Sequence, residues 1–197
     1  MPPPPDHPNV QAVVAALRAG GAAASGARMR VLPDAVTTAR AAADALGIEV
    51  GQIANSLIFV LERSAGPGEK PGTERSASGT SINTERSASG TSINTEPLLV
   101  LASGAHRVDT AKLAAQLGAV AIRRADQKFV RAATGQVIGG VAPVGHPARL
   151  RTVVDTALAE YAELWCGGGI PHAVFPTSFD ELITLTGGTA AAVAEGS

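Results

Sequence analysis

Two short runs of branched apolar residues, 53–61 (IANSLIFVL) and 98–102 (LLVLA), each bounded by polar turns, constrain this chain more than any other feature. Runs of this length and composition read as buried strands, and two of them separated only by polar sequence are expected to pair as a hairpin. The segment between, 63–96, holds TERSASGTSIN at 73–83 and the same eleven residues again at 84–94. Two copies are too few for a solenoid, and each carries one large apolar residue, Ile82 or Ile93. The segment therefore reads as a low-complexity duplicated insertion, because Ser, Thr and Gly bury too little surface to offset the entropy of ordering. A flap or a contact with another chain is the functional reading of so long a loop.

Around this pair the periodicity alternates between helix and strand. Asn9 is placed to cap a helix carrying Val13, Val14 and Leu17 that Gly20 and Gly21 end, and residues 28–32 read as a short strand. Thr37 or Thr38 opens an alanine-rich helix closed by Gly47. Downstream, Asp109 caps a helix through Leu117, residues 120–123 form a strand, and Asp126 caps a helix through Ala133. Residues 150–154, 163–166 and 173–176 read as strands, with a short helix at 156–161. Ser178 and Glu181 have capping-box spacing for a last helix ending near Gly187. The expectation is a mixed α+β fold with a curved, barrel-like sheet. Residues 1–8 form a flexible proline-rich tail, 9–188 a single domain, and 189–197 a C-terminal tail.

The composition, 45% hydrophobic and 17% charged, is globular. No apolar stretch suits a membrane helix and the N-terminus lacks a signal-peptide pattern, so the expected location is cytoplasmic, with no membrane partner. One cysteine, Cys166, forms no internal disulfide, and four scattered histidines offer no metal constellation. Charge is uneven: residues 105–155 hold 8 basic side chains against 3 acidic, although the whole chain sums to −1. A solvated surface of mixed sign and a phosphate-binding face are both compatible with that block.

Residues 135–147 (GQVIGGVAPVGHP) contain four glycines and two prolines and cannot form a regular element. Such a loop is either structural or lets main-chain groups approach a ligand closely. It is neither a P-loop nor a dinucleotide fingerprint, since no Lys-Ser or Lys-Thr follows and no G-x-G-x-x-G joins a strand to a helix. Ser103, His106 and Asp109 supply the residue types of a hydrolytic triad within one short segment, whereas triad members normally converge from distant ones, and Asp109 is better explained as a cap. Cys166 reads as a buried, inert thiol. His146 and His172, each beside a proline, are turn or core residues or proton carriers, and Asp155 caps a helix or does acid-base work.

Taken together, residues 31–59, 97–118, 133–147, 152–158 and 172–188 resemble the YbaK-like aminoacyl-tRNA deacylase family, which includes the editing domain of bacterial prolyl-tRNA synthetases. The most specific match is the G-x-x-x-P signature at Gly139 and Pro143. The resemblance implies a six-stranded mixed barrel surrounded by helices. It implies a free-standing hydrolase that cleaves the ester of a mischarged tRNA, with Cys- or Ala-tRNA(Pro) as candidate esters. No metal or organic cofactor is implied. The implied partners are the aminoacyl-tRNA 3′ end and prolyl-tRNA synthetase.

By position, Gly139, Gly140 and Pro143 would be catalytic, their main chain orienting the ester and stabilising an oxyanion. Asn55 joins them, standing where the family's I-x-K-x-L segment has lysine. Thr38, Ser103, Gly104, Gly145, His146 and Asp155 are the candidate substrate contacts. Members of the family use no protein nucleophile; water or a group on the substrate attacks. Because Asn55 brings no charge, the alternative is a noncatalytic module that binds tRNA ends, nucleotides or a protein partner.

Overall fold

The computed structural model describes residues 6–32, 38–64, 74–75, 81–86 and 92–195. In chain order they form α1 (Pro8–Ala19), α2 (Ala23–Ala27), β1 (Arg30–Val31), α3 (Ala39–Leu46), β2 (Ile53–Ser64), β3 (Glu74–Arg75), β4 (Ser81–Arg86) and β5 (Ser92–Ser103). There follow α4 (Thr110–Leu117), β6 (Ala121–Arg124), α5 (Gln127–Thr134), β7 (Arg151–Asp155), β8 (Leu164–Gly167), β9 (Ala173–Thr177), α6 (Phe179–Thr186) and β10 (Thr189–Ala191). No helix among the described residues is long and apolar enough to cross a membrane.

Local chemistry starts and stops the helices. Thr38, Asp109, Asp126 and Ser178 each accept a hydrogen bond from a main-chain N–H in the first turn that follows, which satisfies a donor the helix leaves orphaned. Gly47 and Gly118 end α3 and α4. The cap of α1 differs from expectation. His7 holds that position, its Nδ1 accepting from Asn9 N at 3.2 Å, with Pro8 in the first turn, where a missing N–H costs nothing. Asn9 reaches across the fold instead, donating to Gly135 O and Gly169 O.

The architecture is the expected mixed α+β one. Ten strands form one mixed sheet in the order β1-β9-β8-β2-β5-β4-β3, with β6 also on β2, β7 on β5 and β10 on β7. β2 and β5, which carry the two apolar runs, pair antiparallel from Ala54↔Ser103 to Ser64↔Ile93. The resemblance implies a six-stranded barrel, whereas the described residues place ten strands in the sheet. The sheet is open rather than closed, since no pairing joins β1 to β10 among the described residues.

Leu98, Leu99, Val100 and Leu101 are all fully buried, because both faces of β5 are covered. Leu99 and Leu101 pack with α1 and α6, whereas Leu98 and Val100 pack with α4 and Val193. Each such side chain contributes about 1.5–3 kcal/mol by burial.

Two segments differ from the reading of the sequence. The duplicated insertion lengthens the hairpin: β2 runs on to Ser64, and β4 pairs with β5 from Asn83↔Thr95 to Arg86↔Ser92, so that one copy of SINTE lies against the other. The alternation of Ser, Ile, Asn and Thr lets the ladder propagate where composition alone suggests a loop. Residues 65–73, 76–80 and 87–91 of the insertion lie outside the described residues, as do 1–5 of the N-terminal tail. The segment expected as a C-terminal tail supplies β10, parallel to β7, and buries Val193 and Ala194.

Candidate functional site

The central strand is interrupted along one edge. β5 accompanies β2 from Ala54 onward, but on the opposite edge β8 pairs only with Ile53 and Ala54, and β6 only with residues 59–62. Among the described residues, 55–58 therefore have no strand neighbour there, apart from a long hydrogen bond from Ala125 N to Ile58 O at 3.4 Å. A cavity of about 250 Å³ fills this gap. Asn55, Ser56 and Leu57 line it from β2, Arg124 and Ala125 from the end of β6, Thr38 and Ala39 from α3, and Trp165 and Cys166 from β8. Its volume falls below the roughly 300–1,000 Å³ of pockets that enclose drug-sized ligands.

The glycine-proline loop closes one wall of the cavity through Ile138, Gly139 and Val141. Gly139 has φ 86°, a conformation other residues adopt only with strain. At Gly140 the constraint is space: a Cβ there would lie 2.6 Å from the main-chain carbon of Ile170. Gly140 N donates to Val137 O inside a turn, so this expected oxyanion donor is already engaged. Gly139 and Val141 keep N–H groups with no partner among the described residues.

Behind the wall, Ala142 is held at both ends, its N donating to Gln136 Oε1 at 2.7 Å and its O accepting from His146 Nε2 at 2.9 Å. Pro143 is buried, and Gly145 is packed against the main chain of Val13 in α1. Burial pushes the pKa of His146 down to about 4, so its ring is neutral at pH 7 and braces the loop through Nε2–H.

Ser103, Gly104 and Asp155 meet elsewhere, at the corner where β5 leads to α4. Asp155 is 1% exposed and accepts from Ser103 N at 3.1 Å, His106 Nδ1 at 2.8 Å and Ala157 N at 3.2 Å. Ser103 Oγ donates to Gly51 O, and Gly104 N to Ile53 O. The histidine of the apparent triad is thus oriented by Asp155, while Asp109 caps α4. None of these groups lines the cavity. The corner fixes the start of β2, and with it the position of Asn55.

Of the sequence-derived candidates, Thr38, Asn55 and Gly139 meet at the cavity. Gly140, Pro143, Gly145 and His146 shape the loop behind it, and Ser103, Gly104 and Asp155 form the separate corner. Ser56, Arg124 and Gln136 were not among the candidates. Ser56 Oγ is buried without a hydrogen-bond partner among the described residues. It follows Asn55 in a run otherwise read as apolar, and that polar pair was the available signal. Cys166 is buried, and desolvation, with the charge of Glu181 adding, pushes its thiol pKa far up, which leaves it protonated and inert. Among the described residues no cluster of His, Cys, Asp and Glu is arranged to hold a metal ion.

Comparison with known proteins gives a consistent picture. Residues 87–185 match the model of a family described as the aminoacyl-tRNA editing domain. The chain is 34% identical to a solved structure described as a candidate trans-editing enzyme for prolyl-tRNA synthetase, with a TM-score of 0.74 over 96% of this chain and 99% of that one. A scaffold protein from work on computational epitope grafting is 33% identical, with a TM-score of 0.73 and the same coverage. A hypothetical protein at 24% identity, TM-score 0.68, covering 93% of this chain and 99% of that one, shares the fold.

Proposed function

Because this chain belongs to the aminoacyl-tRNA editing domain family, we propose that it is a free-standing deacylase that hydrolyses the ester between a wrong amino acid and the 3′-terminal adenosine of a tRNA. The observation that carries the reading is the gap in β2, where a small cavity meets Asn55 on one side and the unpaired N–H groups of Gly139 and Val141 on the other. The amino acid side chain enters the cavity and its ester carbonyl lies against the loop.

Water adds to the carbonyl carbon and gives up a proton. The developing oxyanion is held by the N–H groups of Gly139 and Val141 and by the Asn55 amide, donors fixed before the reaction begins. Collapse breaks the bond to the ribose oxygen, which takes up the proton; the products are the free amino acid and a tRNA with its terminal hydroxyl restored. The chain supplies position and electrostatics, and among the described residues that line the cavity no nucleophile is paired with a base. Cysteine and alanine on tRNA(Pro) are the substrates we assign, with prolyl-tRNA synthetase as the source of the error.

Asn55 favours a second reading, a module that binds the tRNA end without cleaving it, because a neutral amide holds an oxyanion less well than an ammonium. One assay separates the two. tRNA(Pro) charged with cysteine, alanine or serine is incubated with catalytic amounts of the protein and of its Asn55→Lys variant. Multiple turnovers of one ester by the native chain, and about tenfold faster loss with the variant, are expected. A native chain that accelerates no ester while the variant does would establish the binding module instead.

A further inference from the structure

A second groove, of about 450 Å³, adjoins the first cavity, and Pro171 belongs to the walls of both. The glycine-proline loop runs from one to the other: Gly135 and Val137 line the groove, Ile138 and Gly139 the cavity. The helix α5 spans the same two spaces, with Val130 facing the cavity and Arg131 the groove. Across the groove stand His7, ahead of α1, and His172, ahead of β9. His7 uses Nδ1 to cap α1, which leaves its Nε2–H as a donor. Among the described residues no carboxylate lines the groove.

The charge around it differs from that of neighbouring surface. Arg123 is neutralised by Glu62 at 2.6 Å, and Arg151 lies 3.4 Å from Glu96. Arg124, Lys128 and Arg131 have no carboxylate partner among the described residues. Lys128 and Arg131, three apart on α5, share one face of the helix. Cations without a carboxylate partner among the described residues therefore stand at both spaces, Arg124 at the cavity and Arg131 at the groove.

We infer that this groove holds the nucleotide that precedes the terminal adenosine of a single-stranded tRNA 3′ end, with Arg131 on its phosphodiester and the imidazoles of His7 and His172 flanking its base. The inference rests on the deacylase reading above and deepens it. A small cavity leaves the nucleotides outside, and the adjoining groove combines one guanidinium, that of Arg131, with the rings of His7 and His172 and the apolar side chains of Val137 and Ile170. Single strands are held by that combination, charge tracking the backbone and rings stacking on bases.

The test compares one ester in two settings: the amino acid on adenosine alone, which has no phosphodiester, and on a CCA-ended RNA microhelix. The kcat/KM ratio of microhelix to adenosine ester is measured for the native chain, Arg131→Gln and Arg131→Lys. The expected result is a ratio about tenfold lower for Arg131→Gln through KM, with the salt slope of the microhelix reaction shallower by about 0.7. Arg131→Lys, which keeps the charge, recovers most of the ratio. An unchanged ratio for Arg131→Gln overturns the inference and leaves the deacylase reading standing. If the native chain hydrolyses neither ester, the deacylase reading fails, and binding of a labelled CCA-ended oligonucleotide decides the groove: weaker binding to Arg131→Gln upholds the site, and equal binding overturns it.

Discussion

The β5–α4 corner and the gap in β2 lie on either side of the same strand start and treat their polar groups in opposite ways. At the corner, a serine, a histidine and an aspartate converge as they do in many hydrolases, yet the Asp155 carboxylate is saturated by three donors and Ser103 Oγ is spent on Gly51. At the gap stand an asparagine and, without partners among the described residues, a serine hydroxyl and the main-chain N–H groups of Gly139 and Val141. Residue types of high chemical repute are used here to hold the fold, and bland ones are left free to act. The proposed site is thus marked by unsatisfied hydrogen-bonding capacity beside a cavity rather than by residue type.

That contrast can be broken from either side. The largest effect is expected at the corner. Asp155→Ala strands the N–H groups of Ser103 and Ala157 and the ring of His106, at a cost of about 3 kcal/mol. For a chain of this size the melting temperature should fall by roughly 6–12 °C in a thermal scan. A fall under about 2 °C would show that the corner is not a stability element.

At the gap the balance reverses. Gly139→Ala should lower deacylation about a hundredfold by moving an oxyanion donor, while the strain at φ 86° costs only about 1–2 kcal/mol of stability. If stability fell as far as with Asp155→Ala and turnover did not change, the assignment of roles to the two regions would be wrong.

The smallest effect belongs to His146, which sits behind the gap but behaves as the corner does. Its folded pKa of about 4 lies below the ordinary imidazole value of 6.5. As pH drops from about 6.5 to 4 the unfolded chain takes up a proton that the folded one refuses. Stability is therefore full above that window and lost on descending through it. Urea midpoints at pH 7 and pH 5 should differ more for the native chain than for His146→Gln.

What could be read from the sequence follows from how local each feature is. The caps at Thr38, Asp109, Asp126 and Ser178, and the stops at Gly47 and Gly118, involve partners within a turn and were visible as spacing. His7 displaced Asn9 because the asparagine is drawn away by Gly135 and Gly169, which lie far along the chain. The partner of His106 went unseen for the same reason, since Asp155 arrives from the end of β7. β10 lacks any apolar alternation in Thr189–Ala191 and is made a strand by β7. At the site, the loop that forms one wall was legible from its glycines and prolines. The gap itself was not, because it exists only where β8 and β6 both stop short on one edge of β2.

The distribution of the cavity's walls along the chain has a consequence for synthesis on the ribosome. The antiparallel pair β2–β5 is complete in sequence once Ser103 has emerged. The cavity also needs the loop through Val141, β8 at Trp165 and Cys166, and β9 at Ala173 and Val174. A nascent chain therefore carries the central ladder long before it carries a binding site. Any product that stops between β5 and β6 inherits the ladder with the other edge of β2 uncovered, a ready template for pairing with another strand.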